Sequence, residues 1–372
     1  MCVKKKIFKI LIVLGLFLSF SPHKSTAQND STNVKKIHFS IYPAFGYQPE
    51  TNFSFGAIGF IVYKNATQAN DEHYRPSNIS PYFLYTLNNQ MLIAIDFDLY
   101  FKNGYNLQFK PRYYNYPDFF YGIGNDNIME DEETYTNVYA QIDGRLMKFL
   151  DKKWSAGLRF DFQNNKIYDL SENGQLINSD IPGWQGGTNM GIGPAAQFDS
   201  RNNILYPTNG SFARTEINFY SKALGGDFNY SLFTLDLRKF ISIKNEKNIL
   251  AFQAAGNFTS GDDVPYYKLQ KVGGDSRLRG IENANLYLDK QSFWMQAEYR
   301  RDLFWRFGGV AFAGFGDVAP KLSNYRFDEL KYVVGLGGRF QALKDEKLNL
   351  RLDAGIGRGG QYAFYISIKE AF

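Results

Sequence analysis

"QMLIAIDFDLYFK" (residues 90–102) alternates apolar and polar side chains with a period of two. The odd positions from Met91 to Phe101 are apolar, whereas Asp96, Asp98 and Lys102 lie on the opposite face. This period is typical of a β-strand that has one apolar and one polar face. The same pattern recurs at 153–163, 292–300 and 362–369. The chain is therefore predicted to be all-β.

Strands of this kind are unusually long for a soluble protein. Soluble strands average about five or six residues, whereas a tilted membrane strand needs about nine to eleven. Aromatic residues make up 17% of the sequence, which fits a barrel with aromatic girdles. In lipid, a sheet must close so that its backbone groups find partners. We therefore predict a transmembrane antiparallel β-barrel of about 16 strands over residues 38–372, with centres near 42, 57, 82, 96, 109, 140, 158, 193, 215, 234, 253, 296, 311, 335, 351 and 366.

The beginning of the chain predicts export. Lysines at positions 4–6 precede an apolar core from Ile7 to Phe20, which is too short to span a bilayer comfortably. Ser25 and Ala27 then supply the small residues of a cleavage site. This order is typical of a signal peptide, here residues 1–27, with cleavage near Ala27.

Removal of that peptide changes the charge and the cysteine content. The peptide carries five lysines, no acid and the single cysteine, Cys2, so the formal net charge falls from +5 to zero. A neutral chain does not favour nucleic-acid binding, and disulfides are not expected. The segment 28–37 is too short for a further domain. We expect the mature protein to be a barrel in the outer membrane of a Gram-negative bacterium.

The longest predicted connection, 261–290, joins the eleventh and twelfth strands and contains "VGGDSRLRGIENANLYLDK" (272–290). The lumen of a barrel of this size can hold a folded-in loop. An arginine buried there needs a carboxylate, which its planar fork can bind with two hydrogen bonds. We expect Arg279 to pair with Glu298, which lies on the polar face of the following strand. Other polar-face acids could replace Glu298: Asp353, Asp236 and Asp143. An exposed loop with a solvated arginine is the alternative.

Several segments resemble the BamA/TamA surface-antigen superfamily. "AQFDSRNNILYPTNGSF" (196–212) is similar to its inner-turn motif, and "VGGDSRLRGI" is similar to its inward-folded sixth-loop motif, with Arg279 and Gly280 as the Arg-Gly pair. "FYGIGNDN" (120–127) and "QAEYR" (296–300) also fit. The hallmark residues of the turn are Asp199, Arg201, Asn202, Pro207 and Gly210.

The resemblance also carries implications for the end of the chain. "AFYISIKEAF" resembles the signal read by the outer-membrane assembly machinery, although its apolar residues could simply face lipid. The assembly signal would comprise Phe364, Ile366, Ile368 and Phe372. The resemblance also implies that the first and last strands meet at a seam, as they do in the family.

Two features depart from the family pattern. Members that assemble or secrete proteins carry POTRA modules, for which this chain has no room. The family usually has an aspartate on the thirteenth strand, where "FAGFG" places Gly314. Asp317 is the nearby acid that could substitute for it.

No catalytic or metal-binding pattern is evident. The predicted mature chain retains two histidines, His38 and His73, and no spacing supports a Ser-His-Asp hydrolase. "MEDEE" (129–133) could bind calcium but better fits a solvated outer loop. "GLGGRF" (335–340) lies within an alternating strand and lacks the helix of a phosphate loop. We expect no enzyme, no cofactor and no metal.

Three functions remain open. The resemblance implies an accessory role in protein or lipid insertion or translocation, alongside periplasmic or outer-membrane partner proteins. A polar lumen alone would suit a passive pore. Long outer loops would suit a surface-exposed anchor protein. The expected surroundings are outer-membrane lipids, and the expected state is a monomeric barrel; the client or substrate does not follow from the sequence.

Overall fold

The computed structural model describes residues 36–64, 76–178, 181–343 and 347–372. The predicted signal peptide, its cleavage site near Ala27, most of the segment 28–37 and His73 lie outside these residues. No helix within the described ranges is both long and apolar enough to cross a lipid bilayer.

Sixteen long antiparallel strands, here β1 to β16, form one closed barrel. Each predicted strand centre falls within one of them, so the predicted strand number and order are confirmed. In chain order the strands are Lys36–Gln48, Asn52–Lys64, Ser77–Thr86, Met91–Tyr100, Tyr105–Phe120, Glu133–Phe149, Trp154–Tyr168, Gly186–Asp199, Gly210–Tyr220, Tyr230–Ser242, Asn248–Ser260, Gln291–Phe304, Phe307–Ala319, Lys331–Leu343, Leu348–Gly357 and Tyr362–Ile368.

The two ends of the barrel differ in their connections. At the end where β1 begins and β16 ends, called here the short-turn end, adjacent strands are joined by turns such as 150–153 and 305–306. The opposite, long-loop end carries connections such as 121–132, 169–185 and 261–290. Short turns at one end and long loops at the other are characteristic of outer-membrane barrels.

The alternation places apolar side chains on the exposed face and polar ones on the buried face. On β12, Met295 is 45% exposed, whereas Gln296 and Glu298 on the opposite face are 6% and 1% exposed. On β14, Leu336 is 70% exposed and Arg339 is 5% exposed. This arrangement is the reverse of that in a soluble β-protein, because the polar side chains point into the barrel and the apolar side chains point out of it.

Residues 261–290 form the long connection between β11 and β12. The segment contains two short paired strands, Gln270–Lys271 and Leu288–Asp289. Its apolar side chains are buried against the barrel wall, with Val272 and Leu278 at 0% exposure. They belong to one apolar cluster with residues of the wall, including Trp294, Val318 and Val333.

Candidate functional site

Arg279 lies in the long connection and is completely buried. Its Nη1 donates to Oδ2 of Asp353 on β15 at 2.6 Å, and its Nη2 donates to Oε1 of Glu298 on β12. The guanidinium also lies over the ring of Phe312 on β13, 3.9 Å from the centroid. Burial alone would lower the pKa of Arg279, but the two carboxylates raise it above its ordinary value, so the group stays charged.

These contacts are part of a larger network, here called the charge ring. Three arginines alternate with three acids, so the ring is formally neutral. Glu298 accepts from Arg300 at 2.7 Å, and Arg300 lies 4.0 Å from Glu370. Arg339 closes the ring by donating to Glu370 at 2.8 Å and to Asp353 at 2.6 Å. The members, in order around the ring, are Arg279, Glu298, Arg300, Glu370, Arg339 and Asp353.

The structure gives Arg279 two carboxylate partners, whereas the sequence predicts one. Arg279 and Glu298 lie together, and Asp353, one of the alternative acids, forms a second contact. The other two alternatives have different partners, since Asp236 pairs with Arg238 on its own strand and Asp143 pairs with Arg145 and Arg159.

The missing aspartate of the thirteenth strand is not replaced by Asp317. Asp317 is buried and within hydrogen-bonding distance of Asn125, 3.4 Å away. A Cβ atom added to Gly314 would meet the side chain of Leu278 at 3.0 Å. The site that would hold the aspartate is therefore covered by an apolar loop residue, and the second carboxylate comes from Asp353 instead.

Glycines let the loop backbone approach the wall very closely. A Cβ atom on Gly355 of β15 would overlap the carbonyl oxygen of Arg279, and one on Gly357 would meet the carbonyl oxygen of Gly280 at 2.7 Å. A Cβ atom on Gly280 itself would lie 2.9 Å from Val333. Gly355 and Gly357 therefore make room for the loop backbone.

Further polar contacts hold the same segment. Asp275 of the loop accepts from Arg351 on β15 at 2.8 Å and from Ser367 on β16 at 3.0 Å. Asn127, in the "FYGIGNDN" segment, donates to the carbonyl of Leu286 at 3.0 Å. The "FYGIGNDN" segment therefore contacts the 261–290 connection at the long-loop end.

The turn motif between β8 and β9 forms a compact unit at the short-turn end. Asp199 accepts two hydrogen bonds from the guanidinium of Arg201, at 3.0 and 2.9 Å. Gly210 has a φ of 108°, and a Cβ atom there would meet the carbonyl oxygen of Ser200 at 2.3 Å. Pro207 is buried. Asn202 caps the turn by accepting from the backbone N–H groups of Thr208 and Asn209.

The C-terminal residues do not all continue the strand. Phe364, Ile366 and Ile368 lie on β16, which ends at Ile368. Lys369 then has a φ of 74°, and Phe372 is 5% exposed. The view of Phe372 as a lipid-facing end of the alternation is therefore wrong.

Phe372 packs against the barrel interior instead. Its ring lies 6.4 Å from that of Phe240 and 5.2 Å from the guanidinium of Arg300. Arg300 also donates to the Phe372 carbonyl oxygen at 3.1 Å. This position follows from the left-handed backbone at Lys369, which turns the chain away from the strand.

The described residues include no group of three or more His, Cys, Asp or Glu side chains arranged to hold a metal ion. His38 is exposed near the start of β1. Glu130 and Asp131, within the acidic "MEDEE" segment, lie in a short 3₁₀ turn with no buried residue.

Comparisons with known proteins identify the architecture. A search of curated proteins finds no significant match. Among solved structures, BamA from Haemophilus ducreyi lacking POTRA domains 1-3 is similar, with a TM-score of 0.61 and 14% identity over 90% of this chain and 70% of that chain. CdiB from Acinetobacter baumannii gives a TM-score of 0.61 and 13% identity over 91% of this chain and 66% of that chain. CdiB from Escherichia coli gives 0.56 and 10%, over 91% and 68%.

The structural matches have low identity and show the fold alone. A family model described as the Omp85 superfamily domain matches residues 65–357, well over half of the sequence. The resemblance to BamA predicted from the sequence motifs is thereby confirmed. This chain belongs to the Omp85 superfamily.

Proposed function

We propose that the protein lies in the outer membrane and has an accessory role in inserting or translocating proteins or lipids. The observation that carries the proposal is the seam between β1 and β16. β1 pairs with β2 along its whole length, from Lys36 to Gln48. Across the seam, the register recorded for the described residues is Tyr47 opposite Ile366.

The short seam follows from the end of β16. Because β16 ends at Ile368, which the register places opposite Phe45, residues Lys36 to Ala44 of β1 have no strand residue of β16 opposite them in the described part of the chain. An unpaired strand edge presents N–H and C=O groups that can pair with an incoming strand. Ile37, Phe39 and Ile41 along this stretch are 63–66% exposed, which suits contact with lipid.

The charge ring supports the same proposal. We propose that the 261–290 loop folds into the lumen and that Arg279 fixes it there. Its contacts reach the polar faces of β12, β13 and β15, so the loop would hold these strands in register while the seam opens. A loop in the lumen would also obstruct a passive pore. The proposal assigns no enzymatic reaction to the chain.

A disulfide across the seam tests the proposal. The barrel, with Tyr47→Cys and Ile366→Cys, would be reconstituted in liposomes, and the folding rate of an added urea-unfolded outer-membrane barrel protein would be measured. The control pair is Ala354→Cys with Phe364→Cys, which are opposite each other on β15 and β16.

We expect the unmodified barrel to accelerate folding or to speed lipid exchange between leaflets. Oxidation of the seam pair should abolish the acceleration, reductant should restore it, and the control pair should have no effect. Equal activity of the oxidised and reduced seam variants would contradict the proposal. Large, steady openings in planar bilayers would point to a passive pore instead, and a barrel with neither activity would fit a surface anchor.

A further inference from the structure

A polar cavity of about 260 Å³ lies at the short-turn end, outside the loop contacts of Arg279. It is formed by the β12–β13 turn and the adjoining ends of β14 and β15, with Tyr206 from the β8–β9 turn. Pockets that bind drug-sized ligands measure roughly 300–1,000 Å³, so this volume suits a smaller group.

The lining of the cavity is strongly basic. Among the described residues that line it, one acid, Asp302, is present beside six basic residues. Asp302 accepts a hydrogen bond from the hydroxyl of Tyr206 at 3.2 Å. The six are Lys247, Arg300, Arg301, Arg306, Arg339 and Lys347.

Two of these arginines have spare hydrogen-bonding capacity. Arg300 is 0% exposed and Arg339 is 5% exposed, and both belong to the charge ring. Nη1 of Arg300 and Nη2 of Arg339 have no hydrogen-bond partner in the described part of the chain. A buried guanidinium nitrogen without a partner is unfavourable, and an oxyanion in the cavity would supply the missing acceptor.

The positive charge of the cavity does not come from the charge ring. The acids of the ring offset Arg300 and Arg339, so the excess comes from Lys247, Arg301, Arg306 and Lys347. Among the described residues, Lys347 has an ion pair with Glu246 at 3.9 Å, and its ammonium lies 5.6 Å from the ring centroid of Tyr206. An anion entering the cavity therefore meets several cations, and Asp302 is the one acid among the described residues of the lining.

We propose that this cavity binds a phosphate group. A phosphate presents several strong acceptor oxygens, which match the two free guanidinium nitrogens and the surrounding lysines. The group could belong to free phosphate or to the headgroup of an anionic phospholipid. Exposed aromatic residues at the same rim, Phe304 and Trp305, would add contacts to the apolar part of a lipid. The inference does not depend on any insertion activity.

Calorimetric titration of the purified full-length barrel in detergent tests the proposal. One arm uses inorganic phosphate, and a second uses short-chain phosphatidylglycerol below its micelle concentration. The test variant is Lys247→Gln with Lys347→Gln, which leaves the charge ring intact. The matched control is Lys222→Gln with Lys321→Gln, which removes the same charge from connections at the long-loop end.

We expect binding in at least one arm, and the tighter arm identifies the source of the phosphate. The Lys247/Lys347 variant should weaken that binding by about tenfold or more, because it removes two of the cations that attract the anion. The control should bind as the unmodified barrel does. Absence of binding in both arms, or equal weakening by the control, would overturn the proposal.

A further variant tests the lipid source. Trp305→Ala removes an exposed aromatic side chain without changing the charge. Weaker binding of the phospholipid with unchanged binding of phosphate would support a lipid headgroup at this rim. If inorganic phosphate binds as tightly as the phospholipid and Trp305→Ala changes neither, the lipid source is excluded and free phosphate is the ligand.

Discussion

Nη1 of Arg279 lies 2.6 Å from Oδ2 of Asp353, although the two residues are 74 positions apart in the sequence. The contact joins the β11–β12 connection to β15, and the contact with Glu298 joins it to β12. One guanidinium therefore links a loop to two strands that are separated around the barrel by β13 and β14. Through Arg339 and Arg300, the same carboxylates connect to Glu370 in the C-terminal residues.

We expect Arg279→Ala to destabilise the barrel. The substitution leaves Glu298 and Asp353 buried with one cation fewer, and removing one partner of a buried ion pair typically costs about 3–5 kcal/mol. The measurement is the temperature at which the detergent-solubilised barrel loses its heat-modifiable electrophoretic mobility. Arg326→Ala is the control, because Arg326 is a 62%-exposed arginine whose ion pairs are at the surface. Equal stability of both variants would contradict a structural role for the charge ring.

Gly355→Ala should displace the loop without unfolding β15. The added methyl group would overlap the carbonyl oxygen of Arg279, so the loop has to move away from the wall. Trypsin cleavage after Arg277 or Arg279 should become faster, because both arginines lie in a packed segment of the unmodified barrel. Gly338→Ala on β14 is the matched control, since a Cβ atom there meets nothing within 4 Å. Unchanged trypsin protection in Gly355→Ala would show that the loop is not held by this approach.

The sequence predicts the strand pattern better than the details of the site. Alternation with a period of two locates every barrel strand, because the exposed and buried faces differ in polarity along the whole chain. It also places Glu298 on the polar face beside the loop. The need for glycine at position 355 depends on how closely the loop backbone approaches β15, and no local pattern encodes that distance.

The end of the chain illustrates the same limit. The alternation of Phe364, Ile366 and Ile368 suggests that the strand continues to Phe372, because only a few residues intervene and the terminal residue is aromatic. A single left-handed residue, Lys369, ends the strand and turns Phe372 toward Arg300 and Phe240. Lysine has no special preference for this conformation, so the sequence gives no sign of the turn.

Phe372→Ala should reduce both assembly in cells and stability in detergent. The ring is buried against Phe240 and Arg300, and its loss from a packed site costs about 3–5 kcal/mol when the site does not collapse. Refolding into micelles and membrane insertion in cells are the two measurements. A variant that refolds normally in micelles but fails to insert in cells would identify Phe372 as a recognition signal, and would contradict a packing role.

Glu50 should make the stability of the barrel depend on pH. It lies in the β1–β2 turn, and its side chain is 9% exposed. Burial raises its pKa from 4.5 to about 7, Asp118 and Asp275 add to the effect, and Lys271 opposes it. Between about pH 4.5 and pH 7, the Glu50 carboxyl is ionised in the unfolded chain but still holds its proton in the folded barrel. The free energy of unfolding therefore falls as pH rises from about 4.5, and the loss is complete above about 7.

The unfolding temperature of the detergent-solubilised barrel, measured from pH 5 to pH 8, checks this effect. The loss should approach an upper limit of about 3 kcal/mol, since one pKa unit corresponds to about 1.4 kcal/mol. Glu50→Gln cannot ionise and should flatten this part of the stability profile, with its largest gain over the unmodified barrel above pH 7. Glu172→Gln, which changes an exposed glutamate in the β7–β8 connection, should leave the profile unchanged. If Glu50→Gln retains the same decline with pH, another group causes it, because Glu50 is then ionised in the folded barrel as readily as in the unfolded chain.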